Sequence, residues 1–187
     1  MKNKLTLLVF ILFFVSGCST MTTAEKEQKR SELNDMAEKA IAGLIEQDAT
    51  VKTEIDGSVA YAVANMKLTK VPIVGGGGGE GVLVIKDPQQ RIYFTVSRFD
   101  VGGGWGARSY KALVVLNSQK VLDDVKDGAW EFQAGGEASA GTASLEGSSS
   151  DMVDRGFKMY VLSDGGASAT VTARTIRISI NRKLTEK

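Results

Sequence analysis

A chain of 187 residues with 23 basic and 22 acidic side chains, no histidine and one cysteine suits a single domain of ordinary size. So even a charge balance disfavours a nucleic-acid partner, because affinity for a phosphate backbone comes from excess Lys and Arg. Without histidine no Ser-His-Asp or Cys-His arrangement can form, and a single thiol excludes an internal disulfide.

The first residues are unlike the rest. Lys2 and Lys4 precede a greasy run from Leu5 to Val15 in which Thr6 is the only polar member. That run is far shorter than the roughly 20 residues a helix needs to span a bilayer, so it reads as the apolar region of an export signal. It ends in Val15-Ser16-Gly17-Cys18, which looks like a lipobox: a branched apolar residue, two small residues and a cysteine. A thiol can form a stable thioether to diacylglycerol, and small residues give a peptidase access to the preceding bond. The expected product begins at Cys18, carrying diacylglycerol and an N-acyl chain such as palmitate, enough lipid for a permanent anchor. Ser19 stands where aspartate signals inner-membrane retention in many Gram-negative bacteria, so the expected address is the periplasmic face of the outer membrane. Residues 1–17 are then signal peptide, 18–25 a lipidated tether and 26–187 one domain.

Leu33, Met36, Ala37, Ala40, Ile41, Leu44 and Ile45 repeat with a period near 3.6 and predict a helix packed on its own domain. Its polar face is mixed in charge, unlike that of a helix lying on lipid. A second helix is expected from Val51 to Met66, with Val59, Ala60, Val63 and Ala64 as a weaker stripe. Beyond Lys70 the period becomes two. Val82–Ile85 reads as a strand buried on both faces, Asp87–Gln90 as a turn, and Ile92, Phe94 and Val96 as the inward side of a returning strand. Tyr110–Leu116 is another buried run, followed by a short helix bearing Val121, Leu122 and Val125 and closed by Gly128. Further strands are expected at Trp130–Gln133, across the small residues Ala134–Ala143, and from Phe157, with a loop at Ser148–Ser150. A turn is expected at Asp164-Gly165-Gly166, and a bulge near Arg174-Thr175, where the apolar phase changes. The sum is an α+β domain: N-terminal helices packed on a mostly antiparallel sheet of six or seven strands, or a barrel-like sandwich.

Little of this points to catalysis. Gly76, Gly78 and Gly81 fit G-x-G-x-x-G, but a strand follows where a dinucleotide site needs a helix N-terminus. No carboxylate cluster has calcium-loop spacing, so no metal or other cofactor is expected beyond the acyl chains on Cys18. An enzyme is not expected. A transmembrane β-barrel is disfavoured by few strands and 7% aromatic residues. One constellation remains. Arg98, Phe99, Trp105, Arg108 and Lys111 surround Gly102-Gly103-Gly104, and cations beside amphipathic rings suit a lipid interface with anionic headgroups. The competing interpretation places the rings in the core and scatters the cations over the surface.

Four blocks in order, Val74–Ile85 (VGGGGGEGVLVI), Gly102–Leu116 (GGGWGARSYKALVVL), Gly128–Ala138 (GAWEFQAGGEA) and Gly156–Val171 (GFKMYVLSDGGASATV), resemble the SYLF domain. This lipid-binding module is also described as actin-binding in its yeast members. The likeness runs from about Ile55 to Leu184. It implies non-catalytic binding of membrane lipid, with phosphoinositides as the ligands of animal members, and supplies no catalytic residue. The expectation is therefore a SYLF-like domain on a lipid anchor. The alternative is a structural or assembly accessory in which the domain holds an envelope protein or cell-wall partner.

Overall fold

A computed structural model describes residues 21–127, 131–134, 137–140 and 156–186. The signal segment, the Ser148–Ser150 loop and Gly128 fall outside them. Helices α1 (Thr23–Gln47) and α2 (Thr50–Gly57) lead into strands β1 (Ala60–Lys70), β2 (Val74–Ile85) and β3 (Gln90–Leu116). Helix α3 (Gln119–Lys126), short strands β4 (Glu131–Ala134) and β5 (Glu137–Ala140), the long β6 (Phe157–Ile180) and one turn of helix, α4 (Arg182–Thr185), complete the order.

α1 starts inside the stretch expected to be tether. Thr22 caps it: the Thr22 hydroxyl accepts from the Glu25 backbone N–H at 3.2 Å, and the Glu25 carboxylate accepts from the Thr22 N–H at 2.6 Å. This reciprocal pair satisfies two otherwise unpaired donors and holds the Glu25 carboxyl below its usual range. The expected stripe is the inward one. Leu33, Ala37, Ala40 and Leu44 are buried, with Met36, Ile41 and Ile45 packed beside them. A chain beginning at Thr22 keeps this cap and every buried residue among those described, so it is expected to fold as a soluble monomer or small oligomer with one cooperative thermal transition. Insolubility without detergent, or a broad non-cooperative melt by circular dichroism, would contradict that expectation.

The second helix is shorter than expected. It ends at Gly57, and Ala60–Lys70 is a strand. Ala60, Ala62, Ala64, Met66 and Leu68 all face one side of the sheet, and Val63 faces the other. Small alternating residues satisfy both periods, and burial of both faces decided for the strand.

The strands form one open antiparallel sheet with the path β1-β2-β3-β6-β4, and β5 also pairs with β6. β3 pairs with β2 through Gln90–Val101, then with β1 through Gly106–Leu116, so it wraps around the β1–β2 hairpin. β6 follows β3 along nearly its whole length. No turn interrupts β6 at Asp164-Gly165-Gly166 as expected. Instead Ser109 pairs with Gly165 and Tyr110 with Ser163, leaving Asp164 as a one-residue bulge. The phase change is thus real but lies at Asp164 and not at Arg174-Thr175. It lets odd-numbered Phe157, Met159 and Val161 and even-numbered Ile176 and Ile178 enter the same core.

The sheet has a core on each face. On the concave side, Leu83, Ile92, Phe94, Val96, Val114 and their neighbours pack with α3. On the other, Val82, Tyr93, Leu113 and Val115 meet α1, α2 and α4. The five-glycine run belongs to β2, pressed against β1. A Cβ at Gly79 would lie 2.2 Å from the Asn65 carbonyl oxygen, and one at Gly81 2.3 Å from that of Val63. Close strand approach accounts for Gly77, Gly79 and Gly81, whereas a Cβ at Gly76 would meet nothing within 4 Å.

Candidate functional site

β1 and β2 meet at Val71-Pro72-Ile73, and this hairpin tip points into the bend of β3. Lys70 is in register with both Gly75 and Gly106, Val74 with Val101, and the Gly102 N–H donates to the Ile73 carbonyl at 2.9 Å. At the bend Gly102, Gly104 and Gly106 have φ of 136°, 139° and 145°, a region that side chains rarely tolerate. The sequence can turn here only because every second residue is glycine.

The other residues of that alternation face outward, and two of them are large and apolar. Val101 is 48% exposed and Trp105 75%, and Phe99, one step before the bend on the same face, is 57% exposed. Val71, Ile73 and Val74 on the tip are also exposed. Among the described residues Met21 is the only other exposed large apolar side chain. Such a concentration at one end is unlike the scattered exposed apolar residues of ordinary surfaces.

Behind this tip lies buried charge. Arg98 donates through Nε and Nη2 to the two carboxylate oxygens of Asp100, each at 2.7 Å, and through Nη1 to the Tyr110 hydroxyl at 2.7 Å. Arg98 is 4% exposed and Asp100 fully buried. Burial alone would lower the pKa of Arg98, but the hydrogen bonds and charge of Asp100 and Tyr110 prevail and hold it above its ordinary value. The Arg108 guanidinium, also buried, stands 4.4 Å from the centre of the Tyr110 ring.

The structure therefore separates the five residues singled out from sequence. Phe99 and Trp105 share the exposed tip. Arg98 and Arg108 stand behind it, inside the sheet. Lys111 is half-buried on the helix-covered side, in register with Asn65 and Leu162. Val71, Ile73, Val74 and Val101 join the tip without having been singled out. For Val101 the signal was legible: carrying the inward phase of Ile92, Phe94 and Val96 two steps further puts Arg98 and Asp100 inside, and Phe99 and Val101 out.

The concave core contains a cavity of about 40 Å³, lined by Ala62, Ala64, Phe94, Arg98, Tyr110 and their neighbours. Ligand pockets usually hold roughly 300–1,000 Å³, so an acyl chain does not fit inside without rearrangement. Among the described residues no group of His, Cys, Asp or Glu is arranged to hold a metal, and no helix is long and apolar enough to cross a membrane. No protein-family model and no curated protein matches the chain.

Proposed function

We propose that this chain is an envelope lipoprotein, lipidated at Cys18 and held on the periplasmic face of the outer membrane. Its SYLF-like domain binds membrane lipid without catalysis, through the hairpin tip. The observation that carries this reading is the concentration of Val71, Ile73, Val74, Phe99, Val101 and Trp105 at one exposed end. Aromatic and branched side chains of this kind partition into the headgroup–acyl boundary, and a tip built from backbone turns presents them without exposing a core. The wrapping of β3 around the hairpin supports a barrel-like sheet, with the tip as its lipid-facing end. Arg108 stands behind the rings, while the Arg98 charge is offset by Asp100 and Lys111 lies on the helix-covered face; on this reading anionic headgroups add only a modest electrostatic share to a contact that begins as an apolar one.

Flotation of the chain beginning at Thr22 tests this. It is expected to rise with phosphatidylcholine vesicles, to rise more fully when phosphatidylglycerol is included, and to lose that extra share as salt increases. Retention in the bottom fraction with both vesicles would transfer the function to a protein or cell-wall partner. The anchor is tested separately. Cys18→Ser is expected to incorporate no radiolabelled palmitate and to accumulate as uncleaved precursor, and normal labelling of the variant would exclude lipidation at this thiol.

A further inference from the structure

We infer that the groove at the end of the sheet opposite the tip is a saccharide site, with a neutral N-acetylated sugar as its ligand. Tyr61, Val84 and Arg91 are in register across β1, β2 and β3, roughly 30 Å along β1 from Lys70 at the tip end. The C-terminal end of α2 forms the facing wall through Ile55 and Asp56. Lys86 fixes that wall by donating to the Ile55 carbonyl and, at 2.9 Å, to the Asp56 carbonyl. Between row and wall lies a groove of about 740 Å³, inside the range of roughly 300–1,000 Å³ usual for ligand sites. Its floor is apolar, made by Val84 and the half-buried ring of Tyr61. Its rim is polar. Gln89, Gln90 and Arg91 are exposed there, and among the described residues no hydrogen bond or ion pair engages their side chains. Charge is close to balanced. Lys86 is committed to the helix carbonyls and Asp56 to Lys52 at 2.5 Å. Burial pushes the Tyr61 hydroxyl above its ordinary pKa, while Arg91 and Glu38 act on it in opposite senses. A groove without excess charge suits a neutral polar ligand better than an ion. An added peptide strand is disfavoured, because β1 and β2 are each paired on both sides here and leave no open ladder. A pyranose meets both demands. Its C–H face can lie on the tyrosine ring, and its hydroxyl and acetamido groups can exchange hydrogen bonds with carboxamides, which both donate and accept. On the lipid reading this end faces away from the membrane, toward the cell wall, but the groove itself does not rest on that reading.

The test titrates the full-length protein, held in micelles of a sugar-free polyoxyethylene detergent, with triacetylchitotriose and reads the heat of binding. Saturable binding with a Kd of about 1 mM or tighter is expected, the weak range of a shallow, open site. Tyr61→Phe keeps the ring and is expected to bind within about threefold of wild type, whereas Tyr61→Ala removes the floor and is expected to lose about tenfold or more. Gln90→Ala/Arg91→Ala changes only exposed side chains, so it is expected to weaken binding about tenfold with the melting midpoint unchanged. That variant keeps the test decisive if Tyr61→Ala fails to fold. No saturable heat up to about 10 mM sugar, or wild-type affinity in Gln90→Ala/Arg91→Ala and in any folded Tyr61→Ala, overturns the proposal. Saturation by a cell-wall stem peptide with none by the sugar overturns it in favour of a peptide partner. Flotation of the Thr22-initiated chain measures the lipid contact separately, so either reading can fail alone.

Discussion

Replacing Phe99 and Trp105 together with serine is expected to release the Thr22-initiated chain from vesicles while leaving its thermal midpoint within about 2 °C of wild type. Rings of this kind bury roughly 150–250 Å² each when fully covered. If about half of that area enters the interface at about 25 cal/mol per Å², the pair contributes about 4 kcal/mol, on the order of a thousandfold in partitioning. Stability should hardly change, because both rings already face solvent in the free domain. Core rings would behave differently, since truncating one costs about 3–5 kcal/mol of folding free energy. Flotation and a thermal melt on the same preparation distinguish the cases. A double variant that floats as well as wild type would remove the tip from the lipid contact.

Arg98→Met is expected to do the reverse: it attacks the fold first. The substitution keeps most of the side-chain volume but leaves the fully buried Asp100 without its two 2.7 Å hydrogen bonds. Breaking one side of a buried ion pair typically costs about 3–5 kcal/mol, which for a domain of this size lowers the melting midpoint by roughly 10 °C. Arg98→Met with Asp100→Leu should recover much of the loss, because the buried carboxylate is then removed together with its guanidinium partner. A wild-type midpoint in the single variant would show that the pair contributes nothing to folding. The same burial decides how cation substitutions should be interpreted. Changing Arg98, Arg108 and Lys111 together to glutamine would disturb two buried guanidinium groups, so weaker lipid binding in that protein would not identify headgroup contacts.

The parts of the fold that were legible in sequence share a physical property: one period and large side chains. α1 announces its inward face through seven apolar residues, and α3 does so through Val121, Leu122 and Val125. The strand after Asp87–Gln90 alternates without a break. Legibility failed where side chains are small. Ala60, Ala62 and Ala64 carry too little apolar surface to separate helix from strand, and only pairing of β1 with both β2 and β3 decides. Likewise Gly165–Ala173 holds mostly small residues, so the sequence shows that the phase changes within β6 but not where. The candidate site was half legible. The rings and cations were found together, but a local cluster does not reveal which members face outward. Charged residues at inward positions ran against the ordinary expectation that Arg and Asp stay wet.

The capped start of α1 bears on how strongly the tip must bind. Because Thr22 already belongs to the helix cap, only the four peptide steps from Cys18 to Thr22 separate the proposed lipid from the folded domain. Fully extended, they reach about 14 Å. On such a leash, insertion of the tip is an encounter within one molecule, governed by an effective concentration in the millimolar range or above. An isolated domain that grips vesicles only feebly would still keep its tip engaged for most of the time once anchored. The lipid would then set where the protein resides, and the tip would set its posture, holding one defined side of the domain toward the periplasm.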